Sequence, residues 1–358
     1  MGAARGGVGD VFRRVVAELR TRGHEVDVVP LTRRRSPAGA GVAAAYRARH
    51  RIRDAGTVQV EFGSNDLEAF WFALAAVLLR RDCVVVAHDY PKLAHVPSAG
   101  LVPAGRRRLS SIAHRLLAPA LDPLLTRLLV RRAGVVCVFG REAQHALKSQ
   151  GASAVEVIPH GSDATGGAVP ASRGRSVLFA GFLGPHKGLD TLLEAWSRVN
   201  NDVQLPLVIA GGTDPFHSAW TSALERRFAA LANPPRFLGA IPEEDGFQQL
   251  FDHAAIVVLP YRFSSPASGV LTRAMAAARP VISTPVPAAC ATIVDGENGM
   301  LVPIDDVEAL AGAIVALYRA PEERDRLGES AVRTMLQQYS WERHVEGLER
   351  AYATARRQ

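Results

Sequence analysis

The chain has few cysteines, few aromatic residues and no long apolar run, and each shortage excludes something. Three cysteines in 358 residues (Cys83, Cys137, Cys290) are too sparse and too widely spaced for a disulfide framework. No His, Cys or carboxylate spacing suggests a metal site. Two of the cysteines lie in apolar, strand-like runs, which predicts buried thiols in a reducing compartment. The longest unbroken apolar stretch, Ala69 to Leu79, is too short to cross a bilayer. The first residues are rich in Gly and Arg and lack the apolar segment of a secretory signal, so a cytoplasmic protein is expected. Aromatics make up only 6% of the residues, so the cores must be built from Ala, Val and Leu. Tandem repeats and low-complexity tracts are also missing.

What remains is the composition of a globular protein, with 48% hydrophobic residues. The length suits two domains of roughly 100 to 200 residues each. Charge is unevenly placed. Residues 1 to 172 hold 24 Lys and Arg against 14 Asp and Glu, a net of +10, while the remainder holds 18 against 21, a net of −3. The basic half has clusters at Arg33-Arg34-Arg35, Arg47 to Arg53 and Arg106-Arg107-Arg108. Such clusters suit an anionic membrane surface, an anionic acceptor or plain solvated faces. Nucleic acid is disfavoured, because no aromatic residues interleave the clusters as a stacking platform would need. Residues 106 to 132 mix Arg with Leu in the manner of an interfacial membrane helix. Pro119 and Pro123 break that stretch, which favours two shorter helices packed on a sheet.

Short β-rich runs alternate with helical patterns along the whole chain, which predicts parallel, doubly wound sheets. In the first half an amphipathic helix covers Val8 to Arg22. Strands are expected at Glu25 to Pro30, Val58 to Phe62, Val84 to Ala87, Val135 to Val138 and Val155 to Pro159. The stretch Gly161 to Arg175 is rich in Gly, Ser, Ala and Pro and reads as a linker. In the second half strands are expected at Val177 to Ala180, Leu207 to Ala210, Arg236 to Leu238, Ile256 to Leu259 and Val281 to Ser283. Helices are expected at Gly188 to Val199, Ser218 to Leu231, Glu244 to Ala254, Ala267 to Ala278, Val307 to Ala320, Pro321 to Gln337 and about Trp341 to Ala355.

Residues 260 to 284, PYRFSSPASGVLTRAMAAARPVIST, carry the clearest chemistry. A strand runs into a loop that ends at Ser268-Gly269, and a helix follows at once. Glycine lets a ligand approach the backbone, and a helix N-terminus offers N–H groups and partial positive charge to a phosphate. A glycine kept for packing alone would look the same. Lys187-Gly188 follows the loop Gly181 to His186, which puts a cation at a helix start, where a solvated lysine is electrostatically disfavoured. His88 closes the strand Val84 to Ala87, and carboxyl ends of parallel strands face ligands.

SGVLTRAMAAARPVIST, with IVDGENGMLVP after it, resembles the donor-site segment of retaining glycosyltransferases of the GT-B fold, family 4 type. SVLFAGFLGPHKGLDTLLEAW resembles that family's first strand, loop and helix of the nucleotide-binding domain. LVIAGG, RFLGAIPEED and AAIVVLPY follow in the family's order, and YSWERHVEGLERAY resembles its closing helix. The likeness covers most of the chain and is strongest from Ser176 to Pro303.

The resemblance implies an α/β GT-B chain of two facing Rossmann-like doubly wound domains. Residues 1–165 would form the acceptor side and 166–340 the nucleotide-sugar side, with 341–358 crossing back to the first domain. It implies transfer of a hexose from a nucleoside diphosphate sugar to an acceptor hydroxyl with retention, without metal or cofactor. Attack on the donor's own face, assisted by the leaving phosphate, would need no protein nucleophile. By resemblance His88 is the catalytic residue at the reaction centre. Gly7, Gly9, Gly181, Lys187, Gly188, Phe237, Gly239, Ser268, Gly269, Val270 and Arg273 would bind the donor. His160-Gly161 would sit at a hinge or contact. The partners implied are a nucleotide sugar, a glycan or lipid-linked acceptor, and an anionic membrane touched peripherally at its inner face.

The chain departs from the family in four places. Phe182 stands where the family has an arginine. Arg273 and Ser265 stand where it has a pair of glutamates. The fourth is the N-terminal first strand, which is missing: the loop Gly6-Gly7-Val8-Gly9 comes with no strand ahead of it. That predicts either a start lying upstream or a compensating strand from elsewhere. The departures also keep a second reading open, a non-catalytic GT-B homologue acting as a binding protein. A sugar-nucleotide epimerase on the same fold fits the loops less well.

Overall fold

The computed structural model describes residues 7–29, 31, 37–63, 67–80, 82–88, 123–164, 169–213, 217–242, 246–264 and 267–357. The chain divides into two compact units. The first is Met1–Gly161 with Ser265–Ala267 and Trp341–Gln358, and the second is Ser162–Ser264 with Ser268–Ser340. The first unit runs α1 (Gly7–Thr21), α2 (Pro37–Arg47), α3 (Arg49–Asp54), β1 (Val58–Phe62), α4 (Leu67–Leu79), β2 (Cys83–Ala87), α5 (123–132), β3 (Val135–Val138), α6 (Arg141–Ser149) and β4 (Val155–Val157). The second starts with β5 (Ser176–Ala180), α7 (Leu189–Val199), β6 (Leu207–Ala210), α8 (Ser218–Phe228), β7 (Arg236–Gly239), α9 (Phe247–Asp252) and β8 (Ala254–Leu259). It continues through α10 (Gly269–Ala276), β9 (Val281–Ser283), α11 (Pro287–Thr292), β10 (Met300–Leu301), α12 (Val307–Arg319) and α13 (Pro321–Gln338). The last helix, α14 (Trp341–Ala355), packs in the first unit.

Both sheets are wholly parallel. The first has strand order β1-β2-β3-β4 and the second β10-β9-β8-β5-β6-β7. Parallel strands need crossover helices on both faces, so their side chains are apolar on both sides. β2, β3 and β8 are buried along their full length, which their near-continuous Val, Ile and Ala sequences foretell. Period-two alternation then sorts the first sheet into two layers. Val85, Val136 and Val138 pack with Phe62, Phe70 and Ala73 of β1 and α4. Val84, Val86, Val135 and Cys137 pack with Val11, Val15 and Leu19 of α1 and with Val345, Leu348 and Ala351 of α14. Cys83 and Cys137 are buried on strands, and burial holds both thiols well above the ordinary range, so they are inert.

Three expectations need correction. Residues 25–29 form no strand. Their backbone alternates as a strand does, with Val26 on the α1/α14 layer and Val29 and Leu31 on the other. A strand needs a ladder partner, and no described strand lies beside the outer edge of β1 to supply one. Arg51 instead forks onto Asp27, and Arg20 donates to the Val26 carbonyl. No compensating strand stands among the described residues. The helix expected at Glu244 to Ala254 ends at Asp252, because β8 begins at Ala254. The short α11 and β10 were not foreseen, being too brief to show a period. Of the residues read as interfacial or paired short helices, 123–132 are helical, and 106–122 lie outside the described residues. So do the Arg33 to Arg35 and Arg106 to Arg108 clusters.

In the second unit Arg279 is fully buried just beyond α10. It donates to the carbonyls of Ala277 (2.6 Å), Ala254 (3.0 Å) and Val169. Those carbonyls belong to the end of α10, the start of β8 and the segment leading to β5. One guanidinium therefore ties α10 to the sheet that it serves.

Candidate functional site

In the second unit several expected residues converge at the carboxyl ends of β5 and β8. Tyr261, two residues past β8, is the floor. Its ring is buried and its hydroxyl donates to the Ala180 carbonyl at 3.5 Å. Burial holds the hydroxyl far above the ordinary tyrosine range, although a hydrogen bond with Ser268 pulls the other way. The Lys187 ammonium sits 3.8 Å from the centre of the same ring, a cation–π contact. Ser268 caps α10 in extended conformation, its Oγ accepting from the Leu271 N–H at 3.3 Å. Residue Ser268 thus uses one first-turn donor, while Gly269 and Val270 present N–H groups that have no intrahelical acceptor. A side chain on Gly269 would meet nothing within 4 Å, so there is open space beside that residue. Gly181 lies against the same group, its nearest neighbours being Val270 and the Tyr261 hydroxyl.

Gly188 is required here. Its φ of 64° is left-handed, and a β-carbon would fall 1.9 Å from the Pro260 carbonyl oxygen. Gly211 lets the β6 loop pass equally close to Gly181, where a β-carbon would lie 1.8 Å from the Gly181 carbonyl oxygen. The turn carrying Lys187, Pro185–Lys187, is held from below by Arg262. Arg262 donates to Pro185 O (2.6 Å), to both Asp190 carboxylate oxygens (2.8 and 3.0 Å), to Thr191 Oγ1 (3.0 Å) and to Asp305 Oδ1 (2.7 Å). Its own N–H donates to the His186 carbonyl at 3.0 Å. Sequence reasoning missed both Tyr261 and Arg262, though they adjoin the strand that led to the site. The signal was a polar dipeptide one proline beyond a fully buried strand.

The other expected donor residues make contacts of their own. Arg273 donates to Gln248 Oε1 (3.2 Å) and lies over the Phe247 ring, so α9 engages it. Phe237 is half-buried against the core, and Gly239, at φ 70°, ends β7 with open space beside it. Phe182 is 71% exposed, with Gly212 and Ala240 beside it.

In the first unit Gly7 and Gly9 lie in the first turn of α1 rather than in a loop. His88 follows β2 directly, and its backbone N–H extends the ladder to the Phe62 carbonyl. Its Nε2 lies 3.2 Å from Glu61 Oε2, with both side chains nearly fully buried. The Phe139 ring packs against His88, His160 and His344. His160 Nδ1 donates to the Gly161 carbonyl and His344 Nδ1 to the Pro159 carbonyl (3.1 and 2.7 Å). Burial pushes His160 down to about 3, with His88 and His344 adding to the effect, and burial lowers His344 also. No group of His, Cys, Asp and Glu among the described residues could hold a metal ion, and no described helix is long and apolar enough to cross a membrane.

Two parallel sheets of four and six strands, wound with helices, define the GT-B fold. Solved structures agree: a sucrose-phosphate synthase from Thermosynechococcus elongatus superposes with TM-score 0.70 at 19% identity, over 97% of this chain and 93% of its own. The Anabaena protein HepE, in complex with UDP, also gives 0.70, at 16% identity over 99% and 98%. The profile described as Glycosyltransferase Family 4 matches residues 5–165, and that described as Glycosyl transferases group 1 matches residues 174–320. The fold is therefore GT-B, with the first half of the chain similar to a family 4 glycosyltransferase domain and the second to a group 1 domain. Among curated proteins, a phosphatidyl-myo-inositol mannosyltransferase of Mycobacterium leprae is 34% identical over 51% of this chain and 47% of its own length. A D-inositol 3-phosphate glycosyltransferase of Kribbella flavida is 26% identical over 80% and 70%. The chain thus spans about half the length of the first of these relatives.

Proposed function

We propose that the protein transfers a hexose from a nucleoside diphosphate sugar to an acceptor hydroxyl, with retention and without a metal ion. The observation that carries this is the group at Tyr261: an ammonium, a capped helix N-terminus and open space beside Gly269. Two positive features on one aromatic floor suit a diphosphate, and they become most useful as negative charge develops on the leaving group. In the step itself the acceptor oxygen bonds to the anomeric carbon while the bond from that carbon to the phosphate oxygen breaks. The acceptor's proton passes to the departing phosphate. Lys187, Ser268, Gly269 and Val270 hold that phosphate, and the resemblance assigns His88 to the reaction centre. The relatives' names support a mannosyl donor and an inositol-bearing, lipid-linked or glycan acceptor. A lipid-linked acceptor and the basic first half together support peripheral contact with an anionic membrane.

The second reading, a binding protein without transferase activity, is favoured by Arg273. It stands where the resemblance implies a carboxylate, and α9 engages it. Incubation with a panel of UDP- and GDP-hexoses and inositol acceptors, in EDTA, decides between them. Transfer giving a product with the donor's anomeric configuration by proton NMR supports the proposal. Turnover that needs added metal, or inverts, overturns those parts of it, and no turnover with any pair favours the binding protein.

A further inference from the structure

The layer between the first sheet and α1 and α14 is largely apolar, but beside the buried His344 it carries one line of polar groups. Parallel register pairs Gln59 with Val84 and Glu61 with Val86, so both polar side chains enter that layer. His88 is two residues past Val86 and shares the face. The line then runs without a break. The Tyr352 hydroxyl on α14 donates to Gln59 Oε1, and Gln59 Nε2 donates to Glu61 Oε1 at 2.5 Å. Glu61 Oε2 lies against His88 Nε2. The Glu61 side chain is 2% exposed. An apolar residue at position 61 would fit the layer better, and a carboxylate there is costly unless it has work to do.

The polarity of the line is fixed by its chemistry. A carboxylate only accepts, so the amide edge facing Glu61 must be the NH2 of Gln59. The Gln59 oxygen then faces Tyr352. Burial holds the Tyr352 hydroxyl far above the ordinary range, so it stays a donor. Every donor points at Glu61, and at its far end Glu61 can take only a proton-bearing nitrogen. We propose that Glu61 is a positioning residue that fixes His88 as the Nε2–H tautomer and leaves Nδ1 as the acceptor for a sugar hydroxyl. Tyr352 and Gln59 orient Glu61 in turn. This rests on the reading of His88 as a residue facing the sugar, but its central claim, the tautomer, is measured without turnover.

In Glu61→Gln, the carbonyl at position 61 keeps the bond from Gln59 and the NH2 turns toward His88. Nε2 must then accept, and the proton moves to Nδ1. Reversing the whole line instead would leave the buried Tyr352 hydroxyl without an acceptor. In the double variant Gln59→Glu with Glu61→Gln, the new carboxylate at 59 accepts from Tyr352 and from the amide at 61. The carbonyl at 61 again faces His88, and the Nε2–H tautomer returns. Long-range proton–nitrogen-15 correlation spectra read the ring directly, with His88 identified by loss of its signal in His88→Gln. The expected order is Nε2–H in the wild type, Nδ1–H in Glu61→Gln and Nε2–H in the double variant. A wild-type Nδ1–H ring, or one unchanged by Glu61→Gln in a folded protein, overturns the proposal. If a transferase activity is found, kcat/KM should fall on the order of 10- to 100-fold in Glu61→Gln and recover in the double variant. Unimpaired turnover with a flipped tautomer would overturn the functional half of the proposal. A wild type that turns nothing over fails the transferase reading and leaves the tautomer result standing.

Discussion

Replacing Arg262 by Met tests how the Lys187 turn is held. The guanidinium makes five hydrogen bonds, to Pro185, Asp190 (two), Thr191 and Asp305. Bonds to a charged group contribute about 1.5–3 kcal/mol when buried. The Arg262 side chain is 29% exposed and Asp305 half exposed, so screening brings each bond down to about 0.5–1 kcal/mol. Methionine keeps most of the stem's packing, which leaves a net loss of about 3 kcal/mol. At roughly 2–4 °C per kcal/mol, the second unit should melt about 6–12 °C earlier by calorimetry. Losing the anchors at Pro185 and Asp190 also frees the turn, so a bound nucleoside diphosphate should weaken roughly tenfold by isothermal titration, about 1.4 kcal/mol. A variant that melts like the wild type refutes the network's contribution. One that melts early but binds the nucleotide unchanged refutes the claim that Arg262 places Lys187.

Gly188→Ala adds a left-handed conformation, about 1–2 kcal/mol, to a backbone clash with Pro260, and thermal melting should show a larger loss than that cost alone. Ser268→Ala removes a helix cap and should cost about 0.5–2 kcal/mol in a urea titration while also weakening nucleotide binding. Arg279→Met leaves the Ala277, Ala254 and Val169 carbonyls unpaired in the core, and a loss of about 3–5 kcal/mol is expected by the same titration. His160 is pushed down to about 3 in the folded chain against an ordinary 6.5, so the unfolded chain binds the extra proton between those values. Its stabilising contribution is complete above pH 6.5 and lost as pH falls toward 3, at most about 2 kcal/mol by pH 5. His160→Asn should flatten the decline in melting temperature between pH 7 and pH 5.

Much of the fold was legible because parallel strands must be apolar on both faces. CVVVA, VVCV and AAIVVL announce buried strands without any need for neighbours. The stretch EVDVV carries the alternating signal of a strand and forms none, because a ladder is a property of two segments and the composition of one cannot supply its partner. The capped N-terminus of α10 was legible from Ser268-Gly269, since a cap residue and a glycine speak through backbone geometry. Arg262 was not, because its value lies in reaching Asp190 and Asp305, which are distant in sequence. Nor was Glu61: VQVEF reads as an ordinary half-solvated strand until α14 covers the face that carries it.

The most direct measurement is titration of the folded protein with UDP, GDP, ADP and dTDP, repeated with Lys187→Ala. The account predicts micromolar binding of one nucleotide and at least a tenfold loss in the variant. Failure of all four to bind a well-folded protein, or binding that ignores Lys187, would contradict it.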